Sequence, residues 1–425
     1  MGVEGNSKIS EYIDYVCSYV KYKGAHKEIK QEISSHIEDI VDEYAEKEIL
    51  QDESVIKAIE RMGDGEVVGK QLNIAHKGTP DWITLILTIV LVNSGIALIH
   101  FMQYKNSYIS SSHLFKNSVI YTAIGTIGII LLYFFNYKKL EKYSKYIFVG
   151  MCLIFILLFI NNIINLIDLR ADSTVDIKSI GLYVFIIALA GIFNNYDWNK
   201  KMNLIKAVGY LMIPMLLMFT KGLDYCGIYF ITFMVLALKS DMKKRYAIYI
   251  VAINTILFLF YSLSNPYRES RFFSFLHPFT ASNGFGYLNV QMYKIAHTSG
   301  FFGHGYLAND TQLPLIQSDF VFNYIIRTFG WLGAVVVITI IVSFIFRILH
   351  ITKCVRDDYG RLLISGLISI LIVQFTANIL MNVNLFPIVE IELPFISYGG
   401  SLGIINMLSV GIIMSVYRRR SLSNS

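Results

Sequence analysis

Trp331-Leu-Gly-Ala-Val-Val-Val-Ile-Thr-Ile-Ile-Val-Ser-Phe-Ile-Phe346 holds no charged residue and forms the middle of an apolar segment running from about 320 to 348. Wound as a helix at about 1.5 Å per residue, that segment is long enough to cross the hydrocarbon of a bilayer. Comparable segments lie at about 81–102, 116–136, 145–166, 178–195, 204–220, 223–239, 245–263, 360–381 and 395–417. The pattern predicts an all-α polytopic membrane protein with about ten transmembrane helices. Composition agrees: 54% of the 425 residues are apolar and 16% charged, with a mean hydropathy of +0.51. A water-soluble enzyme could not carry that balance on its surface. A porin is excluded as well, because its strands would show alternation rather than long unbroken apolar runs.

The formal charge of +6 hides an asymmetry that appears when the chain is cut at Pro80. Residues 1–80 hold 16 Asp and Glu against 10 Lys and Arg, whereas the rest holds 15 acidic and 27 basic residues. A separate soluble domain over 1–80, followed by a membrane domain over 81–420, is the expected organisation. Ile9, Tyr12, Ile13, Val16 and Val20 recur at helical spacing. Ile29, Ile33, Ile37, Ile40, Val41 and Tyr44 repeat the pattern, and a third helix capped by Asp52 ends before Gly63 and Gly65. Met1–Ser10 is polar and offers no secretory signal, so the amino terminus is expected in the cytoplasm. The four cysteines, Cys17, Cys152, Cys226 and Cys354, have no metal-ligand spacing.

Basic residues collect in alternate loops: Lys138, Lys139, Lys142 and Lys145, then Lys200 and Lys201, Lys243–Arg245, Lys353–Arg361 and Arg418–Arg420. The opposite loops are poor in cations, and the positive-inside rule then places both termini in the cytoplasm. The exception is a long external loop at 264–318, which carries Arg268, Arg271 and Lys294. Loops of that length in compact bodies are functional or disordered. This one is rich in aromatic and glycine motifs: Pro266-Tyr-Arg268, Phe275-Leu-His-Pro278, Gly284-Phe-Gly-Tyr287, Ser299-Gly-Phe-Phe-Gly-His-Gly305 and Ser318-Asp-Phe-Val-Phe322. Rings interleaved with guanidinium groups suit headgroup depth, where arginine can clasp phosphate.

Near the end stand Gln374, Asn378, Met381-Asn382, Pro387 and Leu393-Pro-Phe-Ile-Ser-Tyr-Gly-Gly-Ser401. Together with the loop motifs, these residues make the chain resemble the SEDS family of bacterial shape, elongation, division and sporulation proteins, the FtsW/RodA/SpoVE group. The resemblance covers about 81–420 and is strongest over 266–401. Residues 1–80 resemble, more loosely, the helical prefix domain ahead of some bacterial permeases. Two departures stand out: Arg327-Thr328 occupy places where the family usually has glutamates, and Val389-Glu-Ile-Glu392 replaces the usual Thr-Gly-Ile-Pro.

The resemblance implies an inverting peptidoglycan glycosyltransferase that polymerises lipid II in the bacterial cytoplasmic membrane, with a class B penicillin-binding transpeptidase as partner and no nucleic acid. It implies Asp319 as the catalytic carboxylate, either taking a proton from the attacking sugar hydroxyl or holding a divalent cation, Mg or Mn. The bland alternative makes Asp319 a cap on the helix that follows. Arg268, Arg271, Lys294, Gln291, Ser318, Gln374, Asn378 and Ser397 are the expected substrate-binding residues, whereas His277, His297 and His304 match no metal spacing. Gly303 and Gly305 are expected in a turn, Gly399 and Gly400 in helix packing, and Glu390 and Glu392 as solvated charges. A flippase for lipid-linked precursors and a non-catalytic scaffold are the competing functions.

Overall fold

The computed structural model describes residues 7–20, 26–47, 50–75, 79–105, 113–164, 177–219, 223–263, 286–305 and 313–420, with isolated positions between 275 and 284. Among them are sixteen α-helices and no strand. The chain divides into two compact units, one of Met1–Pro80 with Cys354–Asp357 and Tyr417–Ser425, the other of Asp81–Lys353 with Asp358–Val416.

In the first unit, α1 (Ser7–Ser18), α2 (His26–Ala45), α3 (Gln51–Met62) and α4 (Gly65–Ala75) bury one stripe each. Ile9, Ile13, Val16, Ile29, Ile33, Ile37, Val41, Val55 and Ala58 form a single core. Gly69 lets α4 approach α1 so closely that a Cβ there would lie 2.6 Å from the Val16 carbonyl oxygen. Tyr12 Oη ties the stripe to the turn by donating to the Gly63 carbonyl at 3.0 Å. Asp52 does not cap α3: Leu50 occupies the cap position without a side-chain hydrogen bond, and Asp52 sits in the first turn.

The second unit begins with α5 (Trp82–Lys105), α6 (Leu114–Phe134), the short α7 (Lys138–Lys142), α8 (Ser144–Ile164) and α9 (Ile177–Phe193). It continues through α10 (Lys201–Phe219), α11 (Leu223–Lys239), α12 (Lys244–Leu263) and α13 (Tyr287–Thr298) to α14 (Val321–Cys354), α15 (Asp358–Asn382) and α16 (Gly400–Arg418). Seven described helices are long and apolar enough to cross a membrane; α8 and α9 have shorter apolar stretches, and α11 has 17 residues. Burial sorts them: α15 is the axis, 72% buried along its apolar window, while α12 is only 6% buried and leaves its apolar surface to lipid. Around α15 pack α9 and α11.

Two sequence features set local geometry here. Asp81 caps α5 by accepting from the Thr84 amide at 3.0 Å and the Thr84 hydroxyl at 2.6 Å. Its oxygens also accept from Arg347 Nε at 3.1 and 3.0 Å and from Arg347 Nη2, a forked pair joining α5 to α14. Burial opposes the Asp81 charge, but the Arg347 and Thr84 bonds outweigh it and hold the carboxyl below its ordinary range.

Helix α14 is broken at Gly330, which has φ +70°, a left-handed value at which a side chain would be strained. The Ser299–Gly305 motif fills the break. His304 and Gly305 amides donate to the Arg327 and Thr328 carbonyls at 2.8 and 3.0 Å, and the Trp331 and Leu332 amides donate back to Gly300 and Phe301 at 3.2 and 3.1 Å. The carbonyls and amides orphaned by the kink are thereby answered from the loop. Gly303 (φ +75°) and Gly305 (φ +73°) make the turn that fits there.

Candidate functional site

Residues 313–320 form a tight re-entrant turn that delivers the chain into α14, with Leu315 at φ +49°. An apolar cluster of Met292, Leu313, Phe320 and Met381, with Leu288 and Ile295 against it, holds this turn between α13 and α15. On its other side, Ser397 Oγ donates to the Ser318 carbonyl at 2.6 Å, and the Tyr398 amide donates to the Gln317 carbonyl at 2.8 Å. The carboxy-terminal signature therefore acts as a backbone clasp on the turn that carries Asp319.

Asparagines complete the grip. Asn378 Nδ2 donates to the Asp319 carbonyl at 2.9 Å and to the Ile391 carbonyl at 2.7 Å. Asn382 Nδ2 donates to the same Asp319 oxygen at 3.0 Å. Asn323, four residues beyond Asp319, donates to the Asn382 backbone and side-chain oxygens, both at 2.8 Å. Gln374, Asn378 and Asn382 recur every fourth residue and so share one face of α15. Deeper on that face, Tyr183 Oη bonds to Gln374 Oε1 at 3.3 Å and Asn406 Oδ1 at 2.5 Å. Every one of these polar groups is buried, where an unmatched group would be costly.

Asp319 itself is 8% exposed. Burial pushes its carboxyl up to about 6, with smaller contributions from the Glu390 and Asp224 charges. Asp224, in the first turn of α11, accepts from the Glu390 amide at 3.3 Å and so ties the 390 segment to that helix. Among the described residues, the hydrogen bonds to Asp319 go to its carbonyl, and Phe320 supplies the first carbonyl of α14, accepting from Tyr324 at 3.2 Å. A buried carboxylate with a proton affinity near the working pH suits general-base chemistry.

The structure thus brings Ser318, Asn378 and Ser397 together around Asp319, with the side-chain groups of Asn378 and Ser397 bonded to protein carbonyls. Gln374 lies deeper and bonds to Tyr183. Gln291 is half-buried and Lys294 exposed on α13, while Arg268 and Arg271 lie outside the described residues. Among the described residues no group of three or more His, Cys, Asp or Glu side chains is placed to hold a metal ion, and Asp319, Glu390 and Asp224 do not form such a group. Gly399 makes room for the half-buried Glu392 carboxylate, which a Cβ at that position would strike. Asn323, Asp224 and Tyr183 are the site residues that sequence reasoning did not single out, whereas Asn382 was read only as part of the carboxy-terminal signature, its place beside Asp319 coming from the four-residue spacing along α15.

A multi-helix membrane body with a buried, clasped aspartate at the mouth of a broken span defines a class of polytopic membrane protein. This chain belongs to the FtsW/RodA/SpoVE family of cell cycle proteins, whose family model matches residues 81–422. It is 23% identical over 362 residues to the stage V sporulation protein E of Bacillus subtilis, spanning 80% of this chain and 98% of that one. It is also 23% identical over 368 residues to the probable peptidoglycan glycosyltransferase FtsW of Geobacter metallireducens, spanning 82% and 97%. A chain in a solved peptidoglycan synthase complex, described for its coordination of polymerization and crosslinking, superposes with a TM-score of 0.68 at 17% identity, covering 81% of this chain and 99% of that one.

Proposed function

We propose that the protein is a peptidoglycan glycosyltransferase that polymerises lipid II, with Asp319 as the general base. The observation that carries this reading is the buried Asp319 carboxyl, raised to about 6 and fixed through its backbone by Asn378, Asn382 and the Ser397 clasp. In the proposed step the sugar hydroxyl of incoming lipid II attacks the anomeric carbon of the growing chain, and Asp319 accepts the hydroxyl proton. The new glycosidic bond forms as the bond to undecaprenyl diphosphate breaks, with inversion at that carbon. Cations are needed where the diphosphate leaves, a role assigned to Arg268, Arg271 and Lys294. The relatives' names and the family membership support the substrate class.

A class B penicillin-binding transpeptidase is the proposed partner, and both termini are proposed to be cytoplasmic on a ten-span path. The deciding experiment incubates the purified protein and a cognate transpeptidase with labelled lipid II, alongside a known polymerase. Glycan strands are expected; their absence while the control works would end the polymerase reading in favour of a scaffold or a flippase.

A further inference from the structure

Away from Asp319, where α9, α11 and α14 end and α15 begins, a cavity of about 1210 Å³ opens in the membrane unit. Three long cations line it from three different helices: Lys239 at the end of α11, Lys353 at the end of α14 and Arg361 in the first turn of α15. Acids line it too, but two of the three are answered locally. Asp197 lies 3.4 Å from Lys200, and Asp358 pairs with Arg361. The Asp197 carboxyl is held low by the Asn199 amide and by Lys200, so it stays ionised and satisfied. Asp241 is the third. Arg361 has more donors than one carboxylate can take, so its guanidinium can also serve a second anion.

One wall differs in kind. Phe346, 67% exposed, and Leu349, 37% exposed, line the cavity from α14, one turn or two before Lys353. They continue an apolar surface that runs up α14 through Val342. The cavity is therefore apolar toward the hydrocarbon and presents Lys239, Lys353 and Arg361, beside Asp241, at the level where the spans end, which is headgroup depth. A phosphodiester bearing acyl chains satisfies both halves at once, and basic pockets between membrane helices bind anionic lipid headgroups in this way.

We propose that this cavity binds one anionic phospholipid, its phosphate among Lys239, Lys353 and Arg361 and an acyl chain along Phe346 and Leu349. The site is separate from the proposed chemistry at Asp319 and holds whichever way that reading falls.

Native mass spectrometry of the full-length protein in detergent tests it, with phosphatidylglycerol and phosphatidylcholine added in turn. One saturable phosphatidylglycerol adduct is expected, about tenfold or more tighter than phosphatidylcholine. Lys239→Gln combined with Lys353→Gln should weaken it about tenfold or more, since each cation near a lipid phosphate contributes comparably. Lys239→Arg with Lys353→Arg, which keeps the charges, should bind like the parent and separates lost charge from lost fold. Phe346→Ala with Leu349→Ala should also weaken the lipid, while excess inorganic phosphate should not displace it. Equal affinity for the two lipids, or parent-like binding by the glutamine pair, would overturn the proposal. Displacement by inorganic phosphate, with no effect of the Phe346 and Leu349 changes, would assign the cavity to free phosphate and overturn it equally.

Discussion

The Asn378 carboxamide uses both of its N–H groups at once, 2.9 Å from the Asp319 carbonyl oxygen and 2.7 Å from that of Ile391. One side chain near the carboxy-terminal end of the most buried span therefore joins the turn that carries Asp319 to the segment that carries Glu390. Glu390 is in turn one of the charges that raise the Asp319 carboxyl. Asn378 thus joins the backbone of Asp319 to the segment whose Glu390 charge helps raise its carboxyl.

Asn378→Ala removes both bonds and leaves two buried carbonyls without this donor. Each such loss costs about 1–3 kcal/mol, partly offset at Asp319 because Asn382 still donates there. The thermal unfolding midpoint in detergent should fall, and polymerisation should fall further than the loss of folded protein explains. Parent-like activity per folded molecule would remove Asn378 from any positioning role.

Asp319→Asn keeps the size of the side chain and the backbone clasp, so folding and lipid II binding should survive. A general base needs the charge, and its loss should lower the polymerisation rate by two or more orders of magnitude, on the order of 3 kcal/mol of barrier. Rate and unfolding midpoint must be measured on the same preparation. A rate within a few-fold of the parent would leave Asp319 a structural residue.

The pH profile follows from the raised carboxyl. If the ionised form accepts the proton, activity should climb through about pH 6 and level off above it. Glu390→Gln removes a negative neighbour, so the climb should move to lower pH with the plateau rate kept. Stability runs the other way. The folded carboxyl keeps its proton to about 6, whereas an unfolded aspartate releases it near ~3.9. The native state then binds more protons in that window, and this group's contribution to stability falls as pH rises across it.

Orientation is checked by reporters. A fusion after Ser425 should read cytoplasmic and an insertion at Asn309 external; both on one side would break the ten-span path.

Much of this was legible in the chain because bilayer spans announce themselves by length and apolarity. The ten apolar segments coincide with α5, α6, α8–α12 and α14–α16 to within a few residues at most ends. The α14 boundary was harder: its kink at Gly330 depends on hydrogen bonds to residues 300–305, which no local pattern encodes. At the site, Asp319, Ser318 and Ser397 were readable through motif. Their division of labour was not, because Ser397 and Asn378 bind backbone carbonyls, and a carbonyl partner leaves no trace in a side-chain pattern. Asp224 lies at the start of the 223–239 segment and carries no motif; only the fold places it against the Glu390 amide.

Gly330→Ala tests whether the loop and the kink are one unit. At φ +70° an added Cβ is strained in its own backbone, and it would also strike the Phe301 carbonyl oxygen, so the loop must move as well. Gly303 faces the same junction, where a Cβ would meet the Gly330 amide and lie 2.5 Å from the Thr328 carbonyl oxygen. Either substitution should cost about 2 kcal/mol or more and expose the Ser299–Gly305 segment to limited proteolysis. Once the loop has left the break, the second substitution has little left to disturb. Gly303→Ala in the Gly330→Ala background should then cost well under its single value, which is the signature of neighbours rather than independent sites. Full additivity of the two unfolding shifts would mean that the loop does not dock as a unit, and the kink would have to be held by α14 alone.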